Sequence, residues 1–487
     1  MIEFNSSNPF PEGVNSFLDT DLYKLTMQCA VLKYYPDVPV TYAFTNRTPE
    51  KKLSRKAFSW LCDQISKLGN ISLSDEELRF LKEHCKYLSP AYLDFLKDFR
   101  LSPREQLKPT FHPVNGTEDN NSDDDVIGDI HIEIRGKWVE TILYEIPLLA
   151  LASEAYFKFM DTDWNYAGQE QKAYDKGMRL LEAGCVASEF GTRRRRDYHT
   201  QALVFRGLVR ANRDGEARGL PGKISGTSNV HLAMRFNIPP VGTVAHEWFM
   251  GIAAITDDYG GANEEALRRW VGCFGEGVLG IALTDTFGTP AFLRAFAKPI
   301  QYLPGTPNIP LSPHESEGEK TETKTTSSKT YADVFAGVRQ DSGDPAGFVR
   351  QMRDFYAGRG IRPQDKTIVF SDALDIDKCI RYKRISEEAG LRPTFGVGTF
   401  LTNDFVQLST GKKSVPLNIV IKISSAAGNP AVKISDNIGK NTGDATKVGQ
   451  VKRELGYVEK DWAGGDETAR WGKEDGGAAG KEAAAAV

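Results

Sequence analysis

The C-terminal half of the chain alternates short apolar runs with longer amphipathic ones. Apolar, β-branched runs at residues 333–339, 366–370 and 394–399 predict strands. Between them, residues 345–356 and 375–389 carry apolar positions at helical spacing and predict two helices. Such alternation indicates parallel strands joined by right-handed helical crossovers. The fold class predicted for this half is therefore α/β.

Residues at the ends of these segments agree with the assignment. Asp344 stands where the first helix needs an N-cap, and Pro345 occupies the first helical position. Gly390 follows the second helix and predicts its C-terminal end.

Two segments of the first half also show the pattern of a helix start. Asp19-Thr20-Asp21 predicts the cap of a helix that continues through Val31, with Tyr23 in its first turn. Gly226-Thr227-Ser228-Asn229 precedes another apolar run and predicts a second start, where free backbone N–H groups favour an anion.

Three stretches are too polar or too simple in composition to bury a core. We expect a mobile acidic loop at about 114–126, a disordered insertion at about 305–330 and a disordered Ala/Gly-rich tail at 463–487. None is expected to carry chemistry.

Length and composition narrow the class of protein. A chain of 487 residues is too long for one ordinary core, so two domains, or a barrel with a second region, are expected. The formal net charge of −4 gives no electrostatic case for nucleic acid as a partner. The N-terminal sequence does not show a basic segment followed by an apolar one, and no run approaches the ~20 apolar residues of a membrane span. We therefore expect no membrane span and a cytoplasmic location, with nuclear residence left open.

Cysteine usage points to reduced thiols. The six cysteines lie far apart without a CxxC pair, which argues against a disulfide framework or a zinc site: Cys29, Cys62, Cys85, Cys185, Cys273 and Cys379.

Polar or glycine-rich clusters follow three successive predicted strands. They read RQDSGD at 339–344, SD at 371–372 and GVGT at 396–399. Parallel strands bring such ends to one edge, where ligands bind. Glycine amides suit a phosphate, while Asp341, Asp344 and Asp372 suit ribose hydroxyls or Mg²⁺. The alternative is a helix cap with Arg339 paired to a carboxylate.

The segment 225–249 contains two glycine turns and two histidines. His246 follows Val241-Gly242-Thr243 and suits phosphoryl or acyl chemistry, while His231 follows the first turn. A capped core helix whose histidines satisfy neighbours fits the same pattern.

Four consecutive arginines, at 193–196, follow Phe190 and Gly191. Their side chains cannot all face one way. They predict either a solvated face or one or two anion-binding members with the others paired to carboxylates.

Two enzyme signatures are missing. The segment His246-Glu247-Trp248-Phe249-Met250 lacks the second histidine of the HExxH zinc motif, and no early strand is followed by GxGxxG.

Motifs in a fixed order along the chain resemble those of the nicotinate phosphoribosyltransferase family. They are TDLYKLTM at 20–27, EFGTRR at 189–194, GTSN at 226–229, GTVAHEW at 242–248, LTDTF at 283–287, GVRQDSGD at 337–344, FSD at 370–372 and FGVGT at 395–399.

The resemblance implies an α/β fold: an irregular α/β barrel of the type II phosphoribosyltransferases beside an N-terminal α+β domain, usually as a homodimer. The implied units are an N-terminal domain at 1–150, the barrel at 151–435, a C-terminal segment at 436–462 and the tail at 463–487.

The implied reaction transfers the phosphoribosyl group of 5-phosphoribosyl 1-diphosphate to nicotinate, giving nicotinate mononucleotide and diphosphate in the first step of NAD salvage from nicotinic acid. The resemblance also implies Mg²⁺ and an ATP-dependent enzyme, classed as a C–N ligase, that is phosphorylated on a histidine. By motif this histidine is His246, with His231 as the rival.

The other site residues follow from matching motifs. The implied nicotinate-binding residues are Tyr23, Arg193, Ser228, Thr243 and Arg339. The implied phosphoribosyl-binding residues are Asp341, Ser342, Asp372, Gly396, Gly398 and Thr399.

Other functions remain open at this point. A nicotinamide-using relative has an aspartate where this chain has Ser228, which favours nicotinate because aspartate would repel a carboxylate. A sugar-phosphate barrel enzyme would need a lysine or an acid–base pair at a strand's C-terminal end, whereas Lys366 lies at a strand start. A non-catalytic phosphate-binding regulator is the third alternative.

Overall fold

The computed structural model describes residues 11–114, 123–307, 326–437 and 440–458. Most of the predicted acidic loop at 114–126 and of the predicted insertion at 305–330 lies outside the described residues, and the predicted tail at 463–487 lies wholly outside them.

Helices cover much of the described chain. They are α1 Leu22–Tyr34, α2 Arg55–Lys67, α3 Asp75–His84, α4 Pro90–Asp98, α5 Pro103–Gln106, α6 Trp138–Thr141, α7 Glu145–Phe159, α8 Gln169–Glu182, α9 Tyr198–Ala217, α10 Val230–Phe236, α11 His246–Thr256, α12 Ala262–Phe274, α13 Thr289–Phe296, α14 Tyr331–Val334, α15 Pro345–Ala357, α16 Ile376–Glu388, α17 Thr399–Thr402 and α18 Ala445–Leu455.

The strands are mostly short. They are β1 Pro39–Asn46, β2 Leu53–Ser54, β3 Leu107–Pro113, β4 Ile127–Lys137, β5 Val186–Glu189, β6 Lys223–Thr227, β7 Ile281–Leu283, β8 Pro299–Gln301, β9 Thr326–Thr330, β10 Gly337–Gln340, β11 Thr367–Phe370, β12 Arg392–Val397, β13 Phe405–Val406, β14 Lys413–Ser414, β15 Ile419–Ala426 and β16 Asn429–Pro430.

One sheet is antiparallel and joins distant parts of the chain. Its strands run in the order β16-β15-β1-β4-β2, with β3 also paired to β4. Within it, Val40 of β1 lies opposite Ala426 of β15, and Asn46 lies opposite Ile419. Residues 419–430 therefore extend the sheet of the N-terminal region, and the two predicted domains share this sheet.

The second sheet is parallel and carries the predicted strand ends. Its six strands run in the order β6-β5-β12-β11-β10-β7. The register sets Gln340 beside Phe370 and Phe370 beside Phe395, so the ends of β10, β11 and β12 meet at one edge. The predicted α/β class with an additional N-terminal domain is confirmed. Among the described strands no pairing joins β6 to β7, so closure of this sheet into a barrel is not seen.

The predicted strand at 333–339 is wrong in its first part. Residues 331–334 form α14, and β10 begins only at Gly337. Asp333 accepts hydrogen bonds from the backbone N–H of Thr330 at 2.7 Å and from its hydroxyl at 2.6 Å. This capping box favours a helical turn over an extended strand.

The helices predicted around the parallel strands are confirmed. Asp344 caps α15 by accepting hydrogen bonds from the backbone N–H groups of Ala346 and Gly347. Asp375 caps α16, and Gly390 follows that helix with a φ of +76°. The left-handed backbone explains glycine at that position.

The predicted N-cap residue of α1 is in place, but its side chain does not cap the helix. Asp21 occupies the N-cap, yet its side chain makes no capping bond. Its carboxylate accepts a hydrogen bond of 2.8 Å from the Ser228 hydroxyl. A long-range partner has displaced the local one.

Candidate active site

A cavity of about 590 Å³ opens at the C-terminal ends of the parallel strands. Eleven of the predicted site residues line it: Tyr23, Arg193, Ser228, Thr243, His246, Arg339, Asp341, Asp372, Gly396, Gly398 and Thr399. Parallel strand ends are the usual ligand edge of α/β sheets, so the position agrees with a small-molecule site.

Ser342 is the predicted site residue that does not line the cavity. Its hydroxyl donates a hydrogen bond of 2.6 Å to Asp285 Oδ2 and accepts one of 3.0 Å from the backbone N–H of Asp436. It is buried behind the cavity wall. Its geometry therefore fits a support for Asp285 rather than direct contact with a ligand.

The ends of β10 and β11 carry two acidic side chains into the cavity. Asp341 accepts a hydrogen bond of 2.7 Å from the Ser371 hydroxyl, and Asp372 forms an ion pair of 2.6 Å with Lys440. Burial raises the pKa of Asp372 to about 6, although Lys440 acts to lower it. These groups suit ribose hydroxyls, which need hydrogen-bond acceptors held in place.

Two glycines at the end of β12 expose their backbone at the cavity wall. A Cβ on Gly396 would lie 2.4 Å from the Phe190 ring, and one on Gly398 would lie 3.0 Å from the Phe190 carbonyl oxygen. Glycine is thus required at 396 by packing. It leaves the backbone before Thr399 open to a phosphate.

The four consecutive arginines divide into two pairs. Arg193 and Arg194 line the cavity. Arg195 forms a buried bidentate pair with Asp19, at 2.7 and 2.8 Å. Arg196 is buried and its guanidinium lies 3.9 Å from the ring centre of Phe405. The solvated face is wrong, and the run divides as predicted, but only Arg195 of the buried pair meets a carboxylate, since Arg196 donates to the Asn403 side-chain oxygen and the Ser414 hydroxyl. Anion binding by the other two arginines stays a prediction.

One end of the cavity combines an aromatic ring with cations. Tyr23 and Arg193 lie there beside Thr243, whose hydroxyl accepts a hydrogen bond from the Arg339 guanidinium. Arg193 contacts Glu145 at 3.4 Å. An aromatic face with a guanidinium nearby suits a flat ring that carries a carboxylate.

Ser228 lies at the same end but its hydroxyl is already engaged. It donates to Asp21, whose pKa is raised by burial. The expected anion site at the start of α10 is wrong. The backbone N–H groups there bond to protein acceptors, from Val230 to the Thr20 carbonyl, from His231 to the Leu18 carbonyl and from Leu232 to the Asn229 side chain.

His246 begins α11 and stands at the centre of a charged group. Its Nδ1 lies 3.0 Å from the Thr286 hydroxyl, and its Nε2 lies 3.0 Å from Asp341 Oδ2 and 2.9 Å from Lys433 Nζ. Burial lowers the pKa of His246 to about 4, and Lys433 acts in the same direction. Burial acts to raise the pKa of Asp341, but Arg339, His246 and Lys433 hold it well below its usual range. At neutral pH the imidazole is uncharged and can act as a nucleophile.

His231 lies elsewhere. Its Nε2 is 3.0 Å from the Tyr198 hydroxyl, and it does not line the cavity. Its surroundings are those of a packed histidine.

The ligand atoms of His246, Asp285 and Asp341 lie within 4.8 Å of one another, the only such group found among the described residues. However, Lys433 Nζ lies 2.9 Å from His246 and 3.3 Å from Asp285, so an ammonium already supplies the positive charge. Magnesium prefers oxygen ligands in an octahedron. The group does not fit Mg²⁺.

Several cavity residues were missed in the sequence. They are Asp21, Arg47, Glu145, Arg194, Asn418, Lys422, Lys433 and Lys440. The one usable signal was lysine inside apolar runs, as in IVIKIS at 419–424 and AVKIS at 431–435, because buried lysine is rare without a function or a partner.

The cysteines agree with the predicted reduced thiols. Each cysteine is a free thiol, and four are buried. Among the described helices, none has both the length and the apolar composition that crossing a membrane requires.

Comparison with known proteins gives a consistent picture. Residues 18–153 match the family model of the nicotinate phosphoribosyltransferase N-terminal domain, and residues 185–303 and 316–459 match that of the nicotinate phosphoribosyltransferase family. A Schizosaccharomyces pombe protein named probable nicotinate phosphoribosyltransferase is 45% identical over 91% of this chain and 98% of its own length. The Saccharomyces cerevisiae nicotinate phosphoribosyltransferase is 41% identical over 94% and 99% of the two chains. A crystal structure from Saccharomyces cerevisiae, described as a nicotinate phosphoribosyltransferase, superposes with a TM-score of 0.82 at 40% identity, covering 92% of this chain and 100% of that one.

Proposed function

Because this chain belongs to the nicotinate phosphoribosyltransferase family, we propose that it joins nicotinate to 5-phosphoribosyl 1-diphosphate in a reaction coupled to ATP through phosphorylated His246. Nicotinate phosphoribosyltransferase activity itself follows from the family. We propose in addition that the reaction is coupled to ATP and that it is the first step of NAD salvage from nicotinate. The observation that carries the proposal is an uncharged, buried imidazole in the cavity, beside Lys433 and at the edge where the strand ends meet.

The base end of the cavity would hold nicotinate. Tyr23 offers an aromatic face, and Arg193 offers a guanidinium for the carboxylate. Thr243 and Arg339, which are hydrogen-bonded to each other, would form the wall beside the ring. Ser228 would act on the base through Asp21, since its hydroxyl donates to that carboxylate.

The strand-end side would hold the phosphoribosyl group. Asp341 and Asp372 would accept hydrogen bonds from ribose hydroxyls, and the backbone from Gly396 to Thr399 would approach the 5-phosphate. Ser342 would position Asp285 from behind the wall. Lys440, paired with Asp372, adds a cation near these groups.

In the transfer step, the pyridine nitrogen of nicotinate supplies the electron pair for the new bond to the anomeric carbon. The bond from that carbon to the diphosphate oxygen breaks, and diphosphate leaves with the bonding pair. Positive charge develops on the ribose, and carboxylates such as Asp341 stabilise it. No protein base is required, because the nucleophilic nitrogen loses no proton.

In the coupling step, the unprotonated ring nitrogen of His246 attacks the γ-phosphorus of ATP, and the bond to the ADP oxygen breaks. Lys433, 2.9 Å from Nε2, is placed to neutralise the transferred phosphoryl oxygens. Water later cleaves the phosphorus–nitrogen bond and yields inorganic phosphate. The added negative charge beside Lys433, Asp285 and Asp341 would rearrange these ion pairs and alter the affinity for the diphosphate.

The decisive experiment is a turnover assay with nicotinate and nicotinamide in parallel, each with and without ATP. We expect nicotinate mononucleotide to form, with ATP consumed and a lower KM for 5-phosphoribosyl 1-diphosphate when ATP is present. Turnover of nicotinamide in preference to nicotinate would overturn the substrate assignment. Unchanged turnover and no ATP consumption would overturn the coupling alone.

A further inference from the structure

Lys422 is a cavity-lining cation without an ion-pair partner. It lies on β15 between buried Ile421 and Ile423, and its side chain faces the cavity. Within the described residues, no carboxylate oxygen comes within ion-pair distance of its ammonium group. A half-buried ammonium is costly to desolvate, so a lysine held here points to a ligand with negative charge.

The charged groups that face Lys422 come from several elements. Glu145 on α7 attracts its ammonium, while Arg193, Lys433 and Lys24 repel it. Lys24, Lys422 and Arg193 together hold the pKa of Glu145 at about 2, although burial opposes them. Lys422 therefore belongs to the group around Glu145, at the end of the cavity where Arg193 lies.

The three cations of this group differ in how they are paired. Lys24 bridges Glu145 at 2.6 Å and also contacts Glu247. Arg193 contacts Glu145 at 3.4 Å and is also attracted by Asp21 and Asp341. Lys422 lines the cavity with no carboxylate of the described residues within ion-pair distance, so the carboxylate of a ligand would supply its counter-charge.

We propose that Lys422 is a second binding residue for the carboxylate of nicotinate, acting beside Arg193. This inference rests on the proposed function and names a determinant of its substrate specificity. A carboxylate has two oxygens and can accept from both cations at once. An uncharged amide would leave the ammonium without a counter-charge, so Lys422 would select against nicotinamide.

The phosphate groups of the other substrate would meet different lysines, at the strand ends. Lys433 contacts His246 and Asp285, and Lys440 contacts Asp372, so both lysines lie at the strand ends. Lys422 instead lies within the antiparallel sheet, on β15 opposite Ala43 of β1.

The first test compares Lys422→Met and Lys422→Arg with Lys52→Met, which removes a lysine paired to the exposed Asp129. Loss of a charged hydrogen bond should raise the KM for nicotinate in Lys422→Met by about tenfold to a hundredfold. The KM for 5-phosphoribosyl 1-diphosphate should stay within about twofold, and selectivity over nicotinamide should fall. Lys422→Arg should retain most of the affinity, and Lys52→Met should match the wild type.

Folding is expected to survive the substitution. Burial lowers the pKa of Lys422 to about 8, which shows that the folded environment disfavours its charge. Lys422→Met removes that unfavourable burial, so its melting temperature should be no lower than that of the wild type.

The second test uses pH. Since the ammonium loses its proton near pH 8, the KM of the wild type for nicotinate should rise above that pH. In Lys422→Arg it should stay level, because a guanidinium does not titrate there. A structural role alone would not produce this difference.

The third test measures the amine directly. Acetic anhydride at limiting dose should modify Lys422, detected by peptide mass spectrometry, and nicotinate should protect it while nicotinamide should not. An unchanged KM for nicotinate in Lys422→Met, or a raised KM for 5-phosphoribosyl 1-diphosphate in its place, would overturn the inference. Neither result touches the proposed function, which fails only if the wild type does not use nicotinate.

Discussion

The Lys433 ammonium lies 2.9 Å from Nε2 of His246, the same nitrogen that lies 3.0 Å from Asp341. A neutral imidazole can accept from Lys433 through a bare Nε2 only if its proton is on Nδ1, where the Thr286 hydroxyl lies within 3.0 Å. Lys433 thus favours a bare Nε2, whereas the Asp341 carboxylate, an acceptor at the same nitrogen, favours an N–H there. The same cation lowers the pKa of the ring it contacts.

Replacing Lys433 should move the pH dependence of phosphorylation. In Lys433→Met the pKa of His246 rises from about 4, because a repelling cation is lost. Only the neutral ring accepts phosphate, so the acid limb of labelling by γ-labelled ATP should shift upward by about one pH unit or more. Thr286→Val removes a hydrogen-bond partner but no charge and should leave the limb in place. A slower reaction with an unshifted limb would mean that Lys433 acts on the phosphate alone.

The two candidate histidines should behave differently toward ATP. His246→Ala should abolish incorporation of an acid-labile phosphate, whereas His231→Ala should retain it, because His231 is packed against Tyr198 outside the cavity. Incorporation is measured with γ-labelled ATP, and far-ultraviolet circular dichroism confirms folding of both variants. Labelling lost in His231→Ala and kept in His246→Ala would reverse the assignment.

The consecutive arginines should separate into binding and stability roles. Arg193→Met should raise the KM for nicotinate about tenfold or more, by loss of a charged hydrogen bond. Its effect on the free energy of unfolding should stay below about 1 kcal/mol, because the side chain is 36% exposed.

Arg195→Met is the matched contrast. It leaves the Asp19 carboxylate buried without its partner, at a cost of about 3–5 kcal/mol. Urea unfolding and steady-state kinetics on both variants check the pair of predictions. Equal destabilisation by the two substitutions would show that Arg193 is structural.

Local pattern was sufficient for the strand-end part of the site. Asp341, Asp372 and Gly398 each follow a strand that short apolar runs predicted, and parallel pairing must bring such ends together. Where prediction failed, a contact distant in sequence or a side-chain cap prevailed. The Asp21 side chain accepts a hydrogen bond from Ser228 instead of capping its own helix. Asp333 completes a capping box that makes a helical turn within the predicted strand.

The lysines of the site could not be placed from sequence for a similar reason. Lys422 lies in β15 and Lys433 follows that strand. β15 reaches the cavity by antiparallel pairing with β1, which lies almost 400 residues earlier in the chain, as the partners Val40 and Ala426 show. No periodicity within a short window carries that pairing. Their position inside apolar runs indicated a special role but not which group they would meet.

Lys24 provides the clearest test of how the buried charges support the site. Its ammonium is fully buried and bridges Glu145 and Glu247, and Glu247 also accepts hydrogen bonds from the Tyr42 hydroxyl at 2.6 Å and from Trp138 at 2.8 Å. Lys24→Met leaves two buried carboxylates without their shared cation. We expect a loss of about 3–5 kcal/mol in the free energy of unfolding at pH 7.

The sign of the pH dependence follows from Glu145. Its pKa is lowered to about 2 in the folded protein, so its contribution to stability is present above the ordinary value of 4.5 and is lost as pH falls toward 2. Without Lys24 that pKa rises, and the deficit of Lys24→Met should therefore be smaller at about pH 4 than at pH 7. Urea unfolding at both pH values measures it. As a control, Lys67→Met breaks an exposed ion pair with Asp63 and should cost less than about 0.5 kcal/mol in the free energy of unfolding at either pH. If the deficit of Lys24→Met were equally large at both pH values, it would reflect lost packing rather than lost charge.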